Sequence, residues 1–170
     1  MQAENARRVR AKIRRASAQD ASAVAEVFIA SRRAAATYLP NTVHSEDEDR
    51  RFVRDILIAS METWVATDID GRVTALLALR PGWIDQLYVH PEFANHGIGS
   101  MLVDHAKDRQ RHGLQLWTFA SNLGAQRFYE RHGFVEAERT DGADNEERAP
   151  DIRYVWNPTA VGSNREEPPY

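Results

Sequence analysis

One stretch near the middle of the chain narrows the fold more than any other. Trp83 to Val89 is an apolar, strand-like run, and Pro91 ends it, since proline has no N–H to give a sheet ladder. A helical pattern follows, in which Ile98, Met101, Leu102 and His105/Ala106 fall at spacings that share one face. Between the two lies Asn95-His96-Gly97-Ile98-Gly99-Ser100, with two positions free of side chain where strand passes to helix. Glycines there let backbone approach a ligand, and the first helical turn offers unpaired N–H groups at the positive end of its dipole. The pattern is that of a phosphate cradle. It is neither a P-loop, lacking Gly-Lys-Ser/Thr, nor a dinucleotide fingerprint, whose third glycine would fall at Leu102.

The flanking sequence supplies a sheet and helices around this crossing. Ala11 to Arg15 reads as a first strand. Ser17-Ala18-Gln19-Asp20 then holds helix-start residues ahead of an apolar face at Ala21, Val24, Ala25 and Phe28. That helix is expected to reach about Ala36, because Pro40 disfavours helix at Leu39. A second helix is expected from Glu46, with Phe52, Val53, Ile56 and Leu57 inward. Its acidic run Glu46-Asp47-Glu48-Asp49 reads as capping and solvated charge. Trp64 to Thr67 and Val73 to Leu79, joined across Asp70-Gly71, give a hairpin signal, and Trp83 to Val89 extends it to a meander. A helix over Gly97 to Arg111 precedes a strand over Leu114 to Phe119. Ser121-Asn122 opens another helix, with Ala125, Phe128, Tyr129 and His132 on one face and Gly133 closing it. Phe134 to Arg139 and Ile152 to Trp156 complete the strands.

The expected fold class is therefore α/β with mixed order, a sheet flanked by helices. Residues 1–10 form a polar lead-in, 11–156 a single domain, and 157–170 a tail with three prolines, expected to be disordered or peripheral.

Composition removes several function classes. A net charge of −3 gives no reason to expect nucleic acid. With no cysteine there is no disulfide, thiolate metal site or thiol nucleophile, and a reducing compartment suits the chain. The six histidines form no closed ligand set, so no metal is expected. No apolar run approaches the roughly 20 residues of a membrane span. The basic N-terminus lacks the apolar region of a secretory signal, and a cytoplasmic location is expected.

Two motifs taken together resemble the Gcn5-related N-acetyltransferase (GNAT) family. The family's acetyl-CoA loop runs Gln/Arg-x-x-Gly-x-Gly/Ala after a strand and before a helix, and Gly97 and Gly99 match its glycines. Ala94 stands where Gln or Arg is usual, and Asn95 where a second glycine is frequent. The second motif is Asn122-Leu123-Gly124-Ala125-Gln126-Arg127-Phe128-Tyr129-Glu130-Arg131-His132-Gly133-Phe134, similar to the family's helix with an opening Asn, an aromatic-Tyr pair and a closing Gly-Phe. The resemblance covers roughly Lys12 to Trp156. It implies a GNAT fold, with a mixed, mostly antiparallel sheet whose fourth and fifth strands splay apart to hold acetyl-CoA. The implied cofactor contacts are Leu87, Tyr88 and Val89 on the fourth strand, Asn95, His96, Gly97, Ile98, Gly99 and Ser100 in the loop, and Asn122 and Tyr129 on the later helix. It further implies that Asn122 meets the pantetheine arm and that Tyr129 protonates the departing thiolate.

The missing thiol leaves direct attack by an amine in a ternary complex, and that amine must arrive neutral although its pKa is about 10. Asp85, on the strand feeding the cradle, is the nearest acidic candidate for the base, and by the period of two it shares a face with Leu87 and Val89. His44, Glu146 and Glu147 lie on segments able to overhang the cleft. Tyr38, Trp64, Trp83 and Trp117, with Asp85, Glu146 and Glu147, suit a cleft for a cationic amine with an apolar body. The expected activity is acetyl transfer from acetyl-CoA to a primary amine of a small molecule or peptide, without metal, nucleic acid or membrane, with homodimerisation left open. A CoA sensor without turnover and a nucleotide-binding structural protein are the alternatives.

Overall fold

Alternation along one strand decides which helices lie on which face of the sheet. In a computed structural model, which describes residues 11 to 158, β3 (Val73–Arg80) sends Ala75, Leu77 and Leu79 to one core and Leu76 and Ala78 to the other. A strand buried on both faces sits at the centre of a sheet. Here the sheet has seven strands in the order β1-β2-β3-β4-β5-β7-β6. β1 (Lys12–Arg15), β2 (Glu62–Thr67), β3 and β4 (Trp83–Val89) pair antiparallel in succession. β5 (Leu114–Phe119), β7 (Asp151–Trp156) and β6 (Val135–Thr140) form a second antiparallel set. The two sets meet where β4 and β5 run parallel.

Helices α3 (Ile98–Arg109) and α4 (Leu123–Arg131) cover the Leu77 face, where Ile98, Leu102, Val103, Ala106 and Tyr129 join Leu114, Leu116, Ile152 and Tyr154. α1 (Ala21–Ala34) covers the other face with Val24, Ala25, Val27 and Phe28, and α2 (Glu46–Phe52) packs beside it. The start of α1 is fixed by charge. Asp20 is buried, accepts two 2.8 Å hydrogen bonds from the Arg14 guanidinium and a third from the Ser17 N–H, and is thereby held well below the usual carboxylate range.

The order of strands and helices is the expected one. α1 is entered through a 3-10 turn at Ala18–Asp20 and ends at Ala34, two residues before the expected limit. α2 is short and passes into a π-helical turn at Val53–Ile58. Its wider winding keeps Val53 and Leu57 in the core but leaves Ile56, expected inward, 41% exposed. Met101 is likewise more exposed than its place in the apolar pattern predicts, because Ile98, Leu102, Val103 and Ala106 already fill the face against the sheet. Residues 1–10, and the tail beyond Pro158, lie outside the described residues. No helix among the described residues is long and apolar enough to cross a membrane.

Candidate functional site

The site begins where the sheet stops being continuous. Between β4 and β5 the only paired residues are Trp83 and Gln115, tied by the Gln115 N–H to the Gly82 carbonyl at 2.9 Å. Beyond that point the strands part and backbone is left open to a ligand. The gap holds a cleft of about 630 Å³ lined by Ile84, Leu87, Leu116, Asn122, Ala125 and Tyr129. A second region of about 670 Å³ adjoins it, bounded by Arg32, Arg33, His44 and Asp49. Asp85, Gln86, Tyr88, Trp117, Phe119 and Glu147 line both.

A bulge shapes the wall of this cleft. Ala78 pairs with Gln86 and Leu79 with Ile84, so Asp85 is the extra residue on β4. Ile84 therefore joins Leu87 and Val89 on the α3/α4 side. The simple period of two, which put Asp85 on that face, fails here because the bulge shifts the count by one. Asp85 instead lines the cleft, its side chain 14% exposed, with Oδ1 accepting a 2.6 Å hydrogen bond from Arg80 Nε. Tyr88 faces the other core, its ring edge-on to Phe28 at 5.1 Å. Val89 packs toward α3, and its carbonyl accepts a 2.8 Å hydrogen bond from Ser31 Oγ.

The glycine loop closes the top of β4. A 3-10 turn at Pro91–Phe93, capped by His90 Nδ1, leads through Ala94 to Asn95 and Gly97, both with positive φ (63° and 83°). Gly97 is the N-cap of α3, and no Cβ would meet an obstacle there, so the left-handed backbone is what requires glycine. Gly99 is different. A Cβ there would meet Phe128 Cζ at 3.3 Å and Val89 Cγ2 at 3.8 Å, so its bareness serves the close approach of α4 to α3. The N–H groups of residues 95 to 100 find no acceptor among the described residues. Asn95, His96, Gly97, Ile98, Gly99 and Ser100 sit beyond the cleft lining, at its β4 end.

From the other side α4 delivers two residues into the cleft. Asn122 caps the helix, Oδ1 accepting from the Ala125 N–H at 3.1 Å, and also lines the cleft. Tyr129 is 8% exposed, packed edge-on between Phe128 and Phe134. Burial, with Tyr88 a lesser contributor, pushes its phenol well above the ordinary tyrosine value. Its hydroxyl has no hydrogen-bond partner among the described residues, and the residue lines the cleft.

The far region departs most from the sequence reading. Of the four aromatics expected there only Trp117 lines it. Trp64 packs on His105 at 4.3 Å, Trp83 lies under Arg80, and Tyr38 is half exposed outside it. Tyr88 and Phe119 take their place. Glu147 lines the site and lies 3.7 Å from Arg32, while Glu146 stays outside and holds His44 Nε2 at 2.8 Å, which raises the imidazole pKa. The acidic run is not uniform. Glu48 forms a capping box with Ser45, but Asp49 is 6% exposed and turned inward, and burial raises its carboxyl. Its spacing from Val53, four residues on, was the signal that it shares the inner face. No group of three or more His, Asp or Glu among the described residues is placed to hold a metal ion.

The chain is similar to known proteins in sequence and in fold. Residues 59–136 match the acetyltransferase (GNAT) domain family. An uncharacterized N-acetyltransferase of Methanocaldococcus jannaschii is 31% identical over 90 residues, 44% of this chain and 40% of that protein's length. The peptidyl-lysine N-acetyltransferase YjaB of Salmonella typhimurium is 28% identical over 132 residues, 78% of this chain and 88% of its own. In fold, apo YjaB of Escherichia coli superposes with a TM-score of 0.71 at 22% identity, covering 86% of this chain and 97% of its own. The PaiA N-acetyltransferase of Thermoplasma acidophilum, in complex with coenzyme A, gives 0.66 at 19% identity, covering 86% and 98%.

Proposed function

This chain belongs to the GNAT family of acyltransferases, and we propose that it transfers acetyl from acetyl-CoA to a primary amine of a small molecule or peptide by direct attack in a ternary complex. The observation that carries the reading is the parting of β4 and β5 above Trp83 and Gln115, with Tyr129 and Asn122 on one wall and the open amides of residues 95 to 100 at its end. A helix start bearing free N–H groups suits a pyrophosphate, and the strand edge suits an amide-bearing pantetheine arm. Asn122, its oxygen committed to the cap, keeps its amide N–H for that arm. The chain's residues thus fit acetyl-CoA, as the coenzyme A complex of the T. acidophilum protein suggests by likeness of fold.

Each catalytic role follows from the environment. A phenol whose pKa is raised by burial stays protonated at neutral pH and can give its proton to a thiolate leaving into the same poorly hydrated cleft. Asp85, lining both regions, takes the amine's proton through water. The amine nitrogen then bonds to the acetyl carbon, the carbon–sulfur bond breaks as Tyr129 gives its proton to the sulfur, and the second proton shed by the nitrogen returns through water to the phenolate. With no cysteine to carry acetyl, the transfer runs directly between the two bound substrates. Titration with acetyl-CoA, ATP and NAD tests the cofactor assignment. Saturable binding of acetyl-CoA alone is expected, and preference for either nucleotide would refute it.

A further inference from the structure

The region next to Tyr88 contains one carboxylate that, among the described residues, Arg32 and His44 act on only through space. Arg33 is paired with Glu46, Arg32 lies 3.7 Å from Glu147, His44 2.8 Å from Glu146, and Arg80 2.6 Å from Asp85. Asp49 alone among these carboxylates has no ion pair or side-chain hydrogen bond with a described residue, although it is only 6% exposed. Arg32 lies near enough to act on it through space, but its guanidinium is committed to Glu147 and to the face of the Phe28 ring at 5.3 Å. Burial raises this carboxyl despite those two cations, and a cation arriving in the pocket would give it a direct charge-assisted partner.

Resting on the transferase reading above, we propose that Asp49 binds a second cationic group of the acceptor, so that the preferred substrates are compounds with two amines joined by an apolar chain. Asp49 lines only the far region and Tyr129 only the cofactor cleft, so Asp49 meets the end of the acceptor remote from the reacting nitrogen. Between them Tyr88, Trp117 and Phe119 offer aromatic surface for a methylene chain and for its charged end. The far region, at about 670 Å³, has room for such a chain.

The test compares α,ω-diaminoalkanes with monoamines of the same chain length, on the wild type, Asp49→Asn and Asp49→Glu. The wild type should favour the best diamine by about tenfold or more in kcat/KM, mostly through KM, as suits one charge-assisted contact. Asp49→Asn should bring that ratio to about one, with Asp49→Glu restoring part of it. Diamines should raise the Tm of the wild type and not of Asp49→Asn, a readout that needs no turnover. Absence of any diamine preference in the wild type, or its survival in Asp49→Asn, overturns the second-cation site while leaving the transferase reading intact. Failure to acetylate either class, with no acetyl-CoA binding, removes the transferase reading and this inference with it.

Discussion

Gly99 and Phe128 hold the glycine loop close to the helix that carries Tyr129: a Cβ on Gly99 would stand 3.3 Å from Cζ of the Phe128 ring. One contact thus couples the start of α3, where a pyrophosphate would bind, to the residue next to the proposed acid.

Gly99→Ala is expected to push the Phe128 ring by a few tenths of an ångström and cost about 1 kcal/mol, with Gly99→Val costing more, the usual range for overpacking. Acetyl-CoA affinity and kcat should fall together in Gly99→Val. Gly97→Val, with open space around it, strains only the left-handed backbone and should weaken acetyl-CoA binding about tenfold. Isothermal titration of both folded variants, with thermal melts, checks the pair. Unchanged affinity in both would refute the loop's role.

Asp85→Asn should lower kcat by about 10²-fold at saturating substrates, the scale for losing a general base, with acetyl-CoA affinity held within a few-fold. The deficit should shrink at high pH, where more acceptor arrives already neutral. A pH–rate profile of the variant checks this, and an undiminished kcat would assign the proton to another acceptor.

Much of the fold was legible because its signals are local. Asp70-Gly71 marked the hairpin, Pro91 the end of β4, and Gly133, with φ of 78°, the end of α4. The loop and the Asn122 helix were legible for the same reason. The bulge at Asp85 was not, since a one-residue slip depends on how β3 and β4 pair across the Pro81-Gly82 turn. Nor was the far region. Trp64 and Trp83 are as aromatic as Trp117, and only the packing of His105 and Arg80 draws the first two away. Asp49 sat in a run of four acids, and its spacing of four from Val53, which sets it on the inner face, was masked by the reading of the whole run as capping and solvated charge.

His105 offers a pH test of the α3 core. Its Nε2 is buried without a partner among the described residues, its ring packs on Trp64, and burial, with Arg109 adding to it, lowers its pKa. The folded state therefore refuses a proton that the unfolded chain accepts below about pH 6.5, so this residue costs stability as pH falls through that value. His105→Leu should lose less Tm than wild type between pH 7 and pH 5. Equal slopes in thermal melts across that range would mean that the imidazole is solvated in the folded state.

The transferase assignment is tested most directly by amine-dependent thiol release from acetyl-CoA, measured for wild type and Tyr129→Phe with the acetylated product identified by mass spectrometry. Removing the hydroxyl leaves the ring packed between Phe128 and Phe134 and takes away only the proton-donating O–H. The predicted result is one acetylated amine per thiol in the wild type, and a kcat about 10²-fold lower in Tyr129→Phe at nearly unchanged acetyl-CoA affinity. Tight acetyl-CoA binding with no amine-dependent thiol release across a broad amine library would contradict it and leave a protein that senses acyl-CoA without turning it over.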